Sequence, residues 1–64
     1  MPTVETNSRK IIRRLEAEGW MDTGGSKHQK FTHAGKLGCV VIVPRHAVQK
    51  FGTARSIAKA AGWI

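Results

Sequence analysis

The chain has 64 residues, with 11 Lys and Arg against four Asp and Glu, for a formal net charge of +7. A chain of this length buries only about 60% of the surface its unfolded form exposes. That excludes a deep cavity for a small metabolite and points to chemistry on an open face, against a large substrate. A sequence pI of about 10.6 favours nucleic acid as the partner over an anionic membrane or an acidic protein.

One domain, residues 1–64 with its core over about 8–62, is expected from this length. Residues 1–6 read as a loose start. A helical pattern then begins at Asn7 or Ser8, either of which can cap it. Ile11, Ile12 and Leu15 make its apolar stripe, with Arg9, Lys10, Arg13 and Arg14 on the remaining faces. Gly19 stops the helix and Trp20 anchors the chain on the core. A short first strand is expected over Trp20–Thr23, and Gly24–Gly25 turn the chain.

The next segment, KHQKFTH (27–33), alternates with period two. His28, Lys30 and Thr32 point one way; Gln29, Phe31 and His33 point the other. Phe31 should face the helices, which leaves His28 and Lys30 toward solvent. Ala34–Gly38 reads as a hairpin loop. Cys39–Val43, continuous and β-branched, reads as a central, well-buried strand ended by Pro44, with Cys39 as a buried thiol. Thr53 is the expected cap of a last helix whose face is Ala54, Ile57, Ala58 and Ala61. Gly62 closes that helix, and Trp63 and Ile64 fold back on the core. The order is α-β-β-β-α: an α+β fold whose three-stranded antiparallel sheet carries both helices on one face and is open on the other.

The longest apolar run, Cys39–Val43, is far short of the roughly 20 residues of a membrane helix. MPTVETNSRK has no apolar stretch of the kind a secretory leader carries. A single cysteine suits a reducing compartment, so a cytoplasmic protein is expected.

Cleaving RNA without a metal requires a base for the 2′-hydroxyl proton, cations or N–H donors on the phosphate, and an acid for the leaving oxygen. GGSKHQK gathers such parts. Gly25 and Ser26 can offer backbone N–H groups and a hydroxyl. Lys27 and Lys30 supply charge, and His28 stands beside Lys30. Spacing alone leaves His28 open between a catalyst and an ordinary polar surface residue. Other chemistries fit less well. Glu5, Glu16, Glu18 and Asp22 are too scattered for a two-metal nuclease. His28, His33 and His46 split across strand faces, and one cysteine makes no structural zinc site. Gly24–Gly25 lacks the ending of a phosphate-binding Walker loop. No metal and no cofactor are expected.

Four segments in order, SRKIIRRLEAEGW, GSKHQKF, VPRH and GTARSIAKAAG, span Ser8 to Gly62, and with them the chain resembles the HicA-type toxins. The GS-x-H element is the most specific of the four. The resemblance implies a double-stranded-RNA-binding-like α-β-β-β-α fold and ribosome-independent cleavage of mRNA that depends on His28. It also implies neutralisation by a HicB-type antitoxin covering that histidine. One departure stands out: HAVQKFGT replaces the proline-rich, lysine-containing loop frequent before the last helix, which puts a role for Lys50 in question. His46, in VPRH, reads more simply as a strand-end polar residue than as a second proton-transfer group. The alternative function is a non-catalytic RNA-binding module of the same fold. A third is a structural domain whose basic face docks an acidic protein.

Overall fold

A computed structural model of the chain describes residues 4–25 and 27–64. Residues 1–3 of the expected loose start, and Ser26 of the expected phosphate-binding turn, lie outside the described residues. Two helices and three strands follow in the order α1 (Ser8–Ala17), β1 (Trp20–Asp22), β2 (His28–His33), β3 (Val40–Pro44) and α2 (Phe51–Ala61). The strands form an antiparallel meander, β1-β2-β3. Trp20 lies opposite His33, and His28 opposite Pro44.

Asn7 starts α1: its side chain accepts the Lys10 N–H at 3.1 Å, filling one of the donors a helix leaves unpaired at its N-terminus. Gly19 follows the helix with φ +95°, a conformation that ends a helix without penalty only for glycine. Ile11 and Leu15 from α1, Trp20, Phe31, Val41 and Val43 from the sheet, and Ile57 and Ala61 from α2 form one buried cluster. Both helices therefore share the inward face of the sheet. The 18 Å short axis is what one helix layer on one sheet occupies. Phe31, on the central strand β2, is fully buried in this cluster.

The outward face remains open, as expected, but the strand order corrects one expectation. β2, not β3, is the central strand. β3 is an edge strand whose burial alternates, with Val41 and Val43 inside and Val40 and Ile42 about half exposed. A meander of two short connections puts the second strand in the middle whatever the hydrophobicity of the third. Pro44 closes β3 as its last paired residue, a place where an edge strand tolerates a missing N–H.

Cys39 precedes β3 in the turn and is exposed, not a buried strand thiol. Its N–H donates to the Lys36 carbonyl at 3.1 Å, so it completes the hairpin turn and does not enter the ladder. β1 ends at Asp22 and β2 begins at His28, one residue inside each expected boundary. α2 starts before Thr53: Lys50 is the N-cap without a side-chain bond, and Ala54 donates the first helical N–H to the Lys50 carbonyl at 2.8 Å. Thr6 is also held, its carbonyl accepting the Gln49 N–H at 2.8 Å, so this part of the start is tied to the loop before α2. Trp63 packs against the core as expected, while Ile64 is about half exposed.

Candidate active-site cleft

His28 is exposed, on the open face at the start of β2, and Lys30 lies two residues on along the same face. Lys27 is exposed immediately before them. The expected alternation holds: Phe31 is buried and Gln29 and His33 are half-buried on the opposite parity.

The turn ahead of His28 is fixed from three sides. Asp22 uses both carboxylate oxygens, one accepting the Gly24 N–H at 2.7 Å and the other the Gln29 amide at 2.9 Å. The Gln29 amide and then the Gly24 N–H hold the Asp22 carboxyl below the usual carboxylate range, with the Arg45 charge adding to them against a small desolvation effect. Arg45 donates from Nη2 to the Gly25 carbonyl at 2.9 Å, tying the turn to the segment after β3. Gly25 has φ +143°, and a Cβ there would stand 2.2 Å from the His28 carbonyl oxygen. This glycine sets the close approach that places His28. Its carbonyl is occupied by Arg45.

The sheet register brings together residues that are far apart in sequence. A cleft of about 440 Å³ is lined by His28, Pro44, His46, Val48, Gln49, Lys50 and Thr53. Pairing of His28 with Pro44 puts His28 beside the segment that leaves β3. That segment runs past His46 into Lys50, the N-cap of α2. Thus His28 shares its cleft with His46, Lys50 and Thr53, while exposed Lys27 precedes it in the turn and Lys30 follows it on β2.

The sequence raised His46 as a second proton-transfer group and ranked it below a strand-end polar residue, and it left the grouping with Lys50 and Thr53 unseen. VPRH was the available signal: a histidine two residues past a strand that pairs with the strand of His28.

His33 plays a different part. Its Nδ1 accepts the Gly35 N–H at 2.9 Å, which leaves Nε2 as the donor to the Glu18 carbonyl at 2.8 Å. Its ring also meets Trp20 edge-on at 5.3 Å between centroids. Both nitrogens are committed to holding the hairpin against the end of α1.

A family model described as the HicA toxin of bacterial toxin-antitoxin matches residues 8–63. The chain belongs to the HicA toxin family. Membership makes it the toxin member of a toxin–antitoxin pair and so implies an antitoxin as partner. No curated protein sequence matches the chain. Among the described residues of this HicA toxin, no helix is long and apolar enough to cross a membrane.

Proposed function

We propose that this HicA toxin is an endoribonuclease that cleaves mRNA without a metal ion, through His28. The observation that carries the proposal is the exposed His28, which lines a cleft together with His46 and Lys50, in a chain of the HicA toxin family. An imidazole, with an ordinary pKa of about 6.5, moves protons near neutral pH. Here it acts as general base or general acid toward a ribose-phosphate link. Lys27, just before β2, and Lys30, on it, bind phosphates, and Gly25 and Ser26 orient the backbone of the RNA. A strand of RNA fits an open face two layers thick, where a small substrate would find no enclosure. A HicB-type antitoxin silences the toxin by covering this cleft. The cleft itself offers imidazoles, an ammonium and a hydroxyl, the equipment of acid–base catalysis rather than of a carboxylate metal site.

A His28→Ala variant tests the proposal. It should fold, bind antitoxin and bind RNA, yet lose RNA cleavage and growth inhibition. Cleavage by the parent should persist in excess chelator. Parental cleavage rates in the variant would overturn the assignment. Intact RNA after long incubation with the parent would favour the non-catalytic RNA-binding module instead.

A further inference from the structure

We propose that His46 is the second proton-transfer residue of the site, paired with His28 across the cleft. The inference rests on the ribonuclease function proposed above and adds a residue to it. Metal-free cleavage of RNA moves two protons, and His28 accounts for one of them at a time.

Two features single out His46. First, His46 lines the same cleft as His28 and is exposed, and its ring makes no hydrogen bond among the described residues. His33, whose two ring nitrogens are both engaged, shows what a structural histidine looks like in this fold. Second, the backbone of His46 is held with unusual care.

Its N–H donates to the Pro44 carbonyl at 2.8 Å, and its carbonyl accepts the Ser8 hydroxyl. Gln49 Nε2 donates to Ser8 Oγ at 2.7 Å and to the Pro44 carbonyl at 2.8 Å, and the Ser8 N–H donates to the Ala47 carbonyl at 3.0 Å. Ser8 and Gln49 are the buried polar side chains among the described residues, and both serve this one loop. Buried polar groups are costly unless paired. Here their bonds fix the main chain beneath an exposed, unengaged imidazole, which is how a reacting group is pre-organised.

The titratable residues that line the cleft with His46 are His28 from β2 and Lys50 at the N-cap of α2, and Arg45 is its neighbour in the chain. One imidazole takes the proton of the 2′-hydroxyl as that oxygen forms its bond to phosphorus. The bond from phosphorus to the 5′-oxygen breaks, and the other imidazole gives its proton to that oxygen. The products are a 2′,3′-cyclic phosphate and a 5′-hydroxyl end. The rings exchange protonation states and reset through water. Lys50 offsets the charge gathering on the non-bridging oxygens.

Single-turnover cleavage of a single-stranded RNA oligonucleotide, followed across pH for the full chain and for His28→Ala, His46→Ala and His46→Asn, tests the pair. The parent should give a bell-shaped profile, since one ring must be free and the other protonated. Both His46 variants should lose about 10²–10⁴-fold in rate and one limb of the bell. RNA affinity and the circular dichroism spectrum should stay as in the parent. A His46→Ala rate within about threefold of the parent, with His28→Ala inactive, would overturn the role of His46 and leave the nuclease standing. A slower His46→Ala enzyme with both limbs intact would also overturn it, by making the residue a positioning one. Parental cleavage by His28→Ala would instead bring down the role of His28 proposed above.

Discussion

Gly25 lies at φ +143° with the His28 carbonyl where its Cβ would be, so its identity is set by geometry rather than by contact with substrate. Gly25→Ala must shift the turn or the start of β2. It should lower stability by about 1–3 kcal/mol, the usual cost of a strained backbone position. It should also slow cleavage by about 10²-fold, because an ångström of misplacement at a reacting group costs that much. Urea unfolding and a cleavage assay on the same sample check both effects. Unchanged cleavage would show that the turn does not place His28. Gln49→Ala makes a second case. The side chain is almost wholly buried and supplies donors to Ser8 and Pro44. Its loss should cost about 1–3 kcal/mol through the acceptors left unpaired, read as a lower urea midpoint. GS-x-H in the sequence pointed to His28, but no local pattern marked Gln49, whose partners lie 41 and 5 positions away. Ser26 was read as a phosphate contact, and it lies outside the described residues.

Elements meet at Glu18, the C-cap of α1. Its carboxylate accepts the Trp63 indole N–H at 2.7 Å and the Arg14 Nε–H at 3.1 Å, while its carbonyl accepts from His33. Arg14 also lies over the Trp63 ring, 4.2 Å from its centroid. The chain past α2 is thereby fastened to the end of α1. The Trp63 bond, opposed by desolvation and helped by Arg14 and by the Lys36 charge, holds the Glu18 carboxyl below its usual range. A pKa lowered by folding adds stability that is complete above the ordinary carboxylate pKa and is lost as pH falls through the lowered one. The carboxylate is 39% exposed, so screening keeps the contribution below about 1 kcal/mol. Urea midpoints of the parent should exceed those of Glu18→Gln at neutral pH, and the gap should close on acidification. A gap that stays constant or widens would refute the linkage. Element types and order were legible from periodicity, down to the parity of β2. The rank of β3 was not, because a continuous apolar run reads alike whether a strand is central or lies at an edge with apolar side chains half exposed.

Taken whole, the molecule is a helical layer on a sheet whose other side is bare, with charge to spare for a polyanion. Eleven cations against four anions make RNA binding an exchange of counterions. Its logarithm should fall linearly with the logarithm of salt, by about 0.7 for each phosphate neutralised on a single strand. Lys27 and Lys30, both exposed, stand either side of His28 in the chain, so replacing both with Ala should make that slope shallower by about 1.4. Fluorescence anisotropy with a single-stranded RNA and the His28→Ala background measures it without cleavage. An unchanged slope would place the phosphates elsewhere on the surface.

Composition and the 3.6 and 2.0 periods were enough to reach the α-β-β-β-α order and the outward parity of His28, and the resemblance of four segments was enough to reach the HicA toxin family, since each of these is carried by neighbours in the chain. The company His28 keeps was only partly legible there: VPRH offered His46, but not its place in the cleft of His28. His46, Lys50 and Thr53 reach its cleft through the antiparallel register that sets His28 against Pro44, and through a loop that Ser8 and Gln49 fasten from the far end of the fold. Pairing between distant segments is a property of the folded backbone, and a one-residue slip in it would have turned His28 inward and left the cleft without it.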